Sequence, residues 1–74
     1  MKNCHAEYAI WKERSIIADC LKWIGFNALA KKALDFSTSR EILNTYLSII
    51  EHAAKLEQRH DVLDTLYFAG LVNG

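Results

Sequence analysis

From Ala6 to Ile24, the residues Ala6, Ile10, Glu13, Ile17, Cys20 and Ile24 follow one another by alternate steps of four and three. Side chains at that spacing share one stripe of an α-helix, so the first third of the chain is predicted to be helical. No proline occurs in the 74 residues. Every interior position therefore keeps its amide hydrogen, and no pyrrolidine ring forces a helix to stop. The chain reads as all-α, a single domain covering residues 1–74.

With proline absent, helix ends must be read from glycine, caps and breaks in phase. Gly25 interrupts the first stripe, and Phe26, Leu29, Ala30, Ala33 and Leu34 then resume helical spacing with Asn27 available as a cap. This predicts one kinked long helix or two abutting ones. Phe36-Ser37-Thr38-Ser39 breaks the pattern again, and Thr38 with Glu41 three residues later has the form of a capping box. The helix after it carries Ile42, Leu43, Tyr46, Leu47, Ile49, Ile50, Ala53, Ala54 and Leu56 over roughly half its circumference. Its opposite face is Asn44, Ser48, Glu51 and Lys55. Past Arg59 the phase slips: Val62, Leu63, Leu66, Tyr67 and Phe68 form a new stripe that Asp61 can cap, fading at Gly70. The expected fold is a helical hairpin with a short additional C-terminal helix, three to four helices in all.

A chain of this length buries only about 60 to 65 per cent of its unfolded surface. Its hydrophobic fraction is 51%, more than a small monomer readily hides. Assembly as a homodimeric helical bundle is the expected remedy. Nine basic and nine acidic side chains balance to zero, with Lys31-Lys32 the only adjacent basic pair, so no field suited to nucleic acid arises. No apolar run approaches the roughly 20 residues that span a bilayer. Cys4 and Cys20, on one helix, would stand about 24 Å apart along its axis, too far to bond within the chain. Two free thiols fit a reducing compartment, and the expected location is the cytoplasm.

Three constellations could carry function. The first is a pair of carboxylates on otherwise apolar faces, Glu13 between Ile10 and Ile17, and Glu57 in line with Tyr46, Ile50 and Ala53. Glu57 also opens a Glu-x-x-His unit with His60, a spacing used by di-iron carboxylate bundles. If the first two helices ran on together and turned back near residues 36–38, Glu13 would lie level with Glu57 and His60. Two such hairpins would then supply four Glu and two His ligands. The plainer account makes Glu13 a stripe-edge or register-fixing side chain and His60 a cation at a helix end.

The second is a helix-turn-helix drawn from Asn27–Leu34 and the helix starting at Ser39, with Lys31, Lys32 and Arg40 near phosphates. Its reading face would contain an acid and no guanidinium, which argues against DNA. The third is Tyr8 and Trp11, aromatics on the side of the first helix away from the isoleucine stripe, of the kind that anchors protein interfaces.

Lys12, Arg14, Lys55 and Arg59 read as solvated charge, His52 as exposed, and Cys20 as a small core residue. Cys4 beside His5 lacks an orienting third group, and the three glycines are too scattered for a phosphate loop. No catalytic residue and no cofactor are expected. The reading is a non-enzymatic, homodimeric helical module that binds another protein through Tyr8 and Trp11, in the company of small regulators, inhibitors and assembly adaptors of bacteria or their viruses. The alternatives are a DNA-binding helix-turn-helix regulator using Lys31, Lys32 and Arg40, and a dimeric four-helix-bundle metal protein using Glu13, Glu57 and His60.

Overall fold

The computed structural model describes the backbone of residues 2–72 and the side chains of residues 11–72. It contains α1 (Lys2–Trp23), α2 (Asn27–Ala33), α3 (Arg40–Leu56) and α4 (His60–Phe68), and no strand among the described residues. The all-α expectation therefore holds. The expected hairpin does not, because α2 doubles back along α1 instead of prolonging it. The segment after α2 is bonded to α1 at Arg14, whose guanidinium reaches the carbonyls of Asp35 and Thr38. Arg40, the first residue of α3, is paired with Glu13. At the far end of α3, Arg59 donates to the carbonyl of Trp23, 3.0 Å away. So α3 runs in the same sense as α1, and α4 returns until Phe68, Ala69 and Leu71 lie beside Lys12 and Ile16.

Three helices, α1, α3 and α4, end in one way, and the first two of these ends make the reversals into α2 and α4. Gly25, at φ 96°, donates to the Lys22 carbonyl while Phe26 donates to that of Leu21. This is the Schellman arrangement, in which a residue in left-handed conformation satisfies carbonyls that the ended helix leaves free. Gly70 (φ 73°) and Leu71 repeat it on Tyr67 and Leu66, and Gln58 (φ 56°) and Arg59 repeat it on Lys55 and Ala54. Glycine tolerates this conformation, whereas a glutamine Cβ crowds the neighbouring carbonyl. Gln58→Gly is accordingly expected to raise stability by about 0.5–1 kcal/mol in urea unfolding. An unchanged or lower midpoint would mean that Gln58 makes a compensating contact.

The helix starts differ from expectation by one residue at α2 and α3 and by two at α4. Phe26, not Asn27, precedes α2, and no side chain caps it. Ser39, not Thr38, caps α3, accepting from the Ile42 amide at 3.3 Å, while the Thr38 hydroxyl donates to the Lys32 carbonyl. Arg59 precedes α4, and Asp61 sits in its first turn, where it accepts two hydrogen bonds from Arg59 instead of capping. Carboxylate near a helix start is still favourable there.

The core is made by Ile17, Ala18, Cys20 and Leu21 of α1, Leu43, Tyr46, Leu47, Ile50 and Ala54 of α3, and Val62, Leu63 and Leu66 of α4. Ala30 and Ala33 are wholly buried, and their small side chains let α2 lie close to its neighbours. On α1 the buried face is Arg14, Ile17, Ala18, Cys20 and Leu21, which keeps Ile17 and Cys20 of the predicted stripe but puts Glu13 on its edge and Ala18 inside. Arg14 is the one charged side chain in the buried set among the described residues, 8% exposed. This corrects its reading as solvated charge.

Candidate functional site

The reversal at Gly25 separates the predicted metal ligands. Glu13 lies at the start of α3, where both its oxygens take hydrogen bonds from Arg40. Glu57 and His60 lie beyond the other end of that helix, which is about 25 Å long at 1.5 Å per residue. They do not share a helical face either, because Glu57 closes α3, Gln58 is left-handed, and His60 opens α4 rather than fraying from α3. Among the described residues no three His, Cys, Asp or Glu side chains stand close enough to hold a metal ion. The Arg40 hydrogen bonds hold the Glu13 carboxyl below its ordinary pKa, partly offset by burial. Arg40 is exposed and Glu13 only partly buried, so the pair's net contribution to stability is about 0–1 kcal/mol.

The predicted phosphate contacts are also rearranged. Lys31 and Lys32 are exposed in the last turn of α2, but the guanidinium of Arg40, although exposed, is engaged by the Glu13 carboxylate. On the would-be reading face of α3, Glu51 and Lys55 pair with each other at 3.7 Å. Cys20 is fully buried, and burial, followed by the charges of Asp19 and Asp61, pushes its thiol up to about 11. A thiol so placed is a core residue and not a nucleophile.

What the fold does bring to the surface is apolar. Phe68 is 93% exposed. It stands on the lip of a cleft of about 350 Å³ between α1 and the end of α4, lined also by Lys12, Glu13, Ile16, Ala69 and Leu71. A second groove, broad and shallow at about 610 Å³, runs along α3 from Thr45 to Leu56 with Phe26 on its other side. Leu56 is 74% exposed at the end of that groove. His52 lies on its rim, exposed as expected.

Trp11 is half exposed. At 100° per residue it faces away from Glu13 and Ile16, so it lines neither opening. Tyr8, its proposed companion, lies outside the residues whose side chains are described.

Phe68, Phe26 and Leu56 were not singled out from sequence, where Phe68 and Leu56 read as members of core stripes. The signal was present for Phe68. Val62, Leu63 and Leu66 define one face of α4, and Phe68, two positions beyond Leu66, must point away from it. Compared with protein-family models, curated proteins and solved structures, the chain matches none of them.

Proposed function

We propose that this chain is a non-catalytic protein-interaction module that works as a dimer. The observation that carries the reading is the apolar surface left in water by an otherwise packed four-helix fold, and above all Phe68 on the lip of the α1/α4 cleft. A phenylalanine exposed beside a concave surface that is part apolar and part charged has the character of an interface anchor, because its ring supplies contact area at little conformational cost. Trp11 offers a second aromatic on another flank of α1. The buried groups are consistent with this role: Cys20 is a protonated thiol, and Arg14 is spent on backbone carbonyls.

The test compares wild-type protein with Phe68→Ala and Trp11→Ala, each checked for unchanged helical circular dichroism. A protein retained from extract by the wild type is purified and titrated against all three by calorimetry. Saturable binding that weakens about tenfold or more in at least one variant is the expected result. Equal binding by all three, or no saturable binding, would overturn the assignment of these aromatics as anchors.

A further inference from the structure

The apolar half of α3 is divided in two by the fold. Leu43, Tyr46, Leu47, Ile50 and Ala54 enter the core. Ile42, Thr45, Ile49, Ala53 and Leu56 form a second stripe, rotated by about 120° from the first. Ile42, Thr45 and Leu56 are exposed, and Ile49 and Ala53 are half-buried. On one side this stripe borders Phe26. On the other it is flanked by Glu41, Ser48 and Lys55, one every seven residues, all exposed.

The stripe reads nearly the same in both directions. Turning α3 end for end about Ile49 exchanges Ile42 with Leu56 and Thr45 with Ala53, and leaves Ile49 on itself. On the flank, Glu41 and Lys55 are centred on Ser48, one residue away, so a mate turned about Ile49 brings its Lys55 to within about 3 Å of the level of Glu41 along the helix axis. A two-fold interface requires such self-complementarity, since each contact occurs twice with the roles exchanged. In antiparallel helix pairs, flanking positions of one type face their own kind, so opposite charges at the two ends attract. A parallel pairing would set Glu41 against Glu41 and Lys55 against Lys55.

We infer that a second copy of this chain seats on the exposed stripe of α3, the two α3 helices running antiparallel about a two-fold axis beside Ile49. This inference rests on the reading of the chain as a dimeric interaction module and adds the surface and the register. Leu56 and Phe26 of one copy cover Ile42 of the other, Ile49 packs on Ile49, and Glu41 of each copy faces Lys55 of its mate. Two helices of this length with their flanking rings bury on the order of 800–1,000 Å² together, below the roughly 1,200–2,000 Å² of stable interfaces and in the range of weak, transient ones. The dimer is therefore a weak one, with a dissociation constant in roughly the micromolar range. The α1/α4 cleft shares no lining residue with the α3 groove, so each copy keeps its cleft open.

The experiment is sedimentation equilibrium of the full chain over a wide concentration range, for wild type, Leu56→Asp, Glu41→Lys, Lys55→Glu and the double charge exchange. Leu56 is exposed, so Leu56→Asp leaves the subunit folded, as circular dichroism checks, and it is expected to weaken the dimer on the order of 100-fold. Each single charge reversal creates two like-charge contacts and is expected to weaken it about tenfold, while the double exchange recovers most of the loss.

That recovery cannot come from the helix itself. Lysine at the start of α3 and glutamate at its end both oppose the helix dipole, and the double variant carries both penalties. A dimer indifferent to Leu56→Asp and to the charge cycle would place the interface elsewhere and overturn this inference while leaving the dimeric reading standing. A wild-type chain that stays monomeric at every concentration overturns both.

Discussion

Arg14→Met is expected to lower the unfolding free energy by about 2–3 kcal/mol, as read from urea or thermal unfolding. The guanidinium is buried against the α2–α3 connection, its two terminal nitrogens donating to the carbonyls of Asp35 at 3.0 Å and Thr38 at 2.9 Å. Its carbon stands 5.7 Å from the centre of the Phe36 ring. One side chain thus fastens the segment that reverses the chain between α2 and α3.

Methionine keeps the stem's packing but removes both donors. Hydrogen bonds from a charged donor contribute about 1.5–3 kcal/mol each, and relief from desolvating the guanidinium, whose Nε has no partner among the described residues, returns part of that. A chain of this length has about 4–11 kcal/mol of stability in all, so the thermal midpoint should fall by roughly 10–20 °C. Arg14→Lys should recover only part of the loss, because a single ammonium lacks the planar fork that spans two carbonyls. An unchanged midpoint in Arg14→Met would mean that the cost of burying the charge cancels its hydrogen bonds.

The same residue shows what the sequence could not reveal. Arginine is solvated far more often than buried, and Arg14 carries no local mark of its role. Its partners are main-chain carbonyls 21 and 24 positions away, which no side-chain pattern encodes. The four helices were legible because periodicity is a local property, and the start of α3 was misplaced by one residue only because Thr38 and Ser39 are both competent caps. Their directions were less legible. Gly25 can kink a helix or end it, and the outcome depends on whether Phe26 closes the Schellman bond to Leu21, a tertiary question as much as a local one.

From that one choice followed the misplacement of Glu13. A continuing helix would have set it level with Glu57 and His60, whereas the reversal sets it against Arg40. Gln58 gave still less warning, since glutamine has no preference for the left-handed conformation it adopts here. The aromatic reading fared unevenly for a similar reason. Trp11 is half exposed as its position on the helix suggested, but the more exposed ring belongs to Phe68, whose surroundings are made by the return of α4 to α1.

Ile50→Ala and Leu56→Ala, six positions apart on one helix, are expected to fail in different ways. Ile50 is wholly buried between α3 and its neighbours. Removing three of its carbons loses their transfer free energy and leaves a cavity that a small core only partly fills, about 3–4 kcal/mol together. That is a large part of the chain's stability, so this variant should unfold at a much lower urea concentration whatever the protein concentration. Leu56 makes little use of its side chain within the subunit, and its truncation should change monomer stability by less than about 0.5 kcal/mol. Its effect should appear instead in the concentration dependence, because subunit association adds stability only where the mate is bound. Wild-type protein should gain unfolding midpoint as it is concentrated, and Leu56→Ala should gain less. If Leu56→Ala proved as costly as Ile50→Ala in dilute solution, the outer stripe of α3 would belong to the subunit's own core, and its near-palindromic order would then reflect only the repeat of a helix.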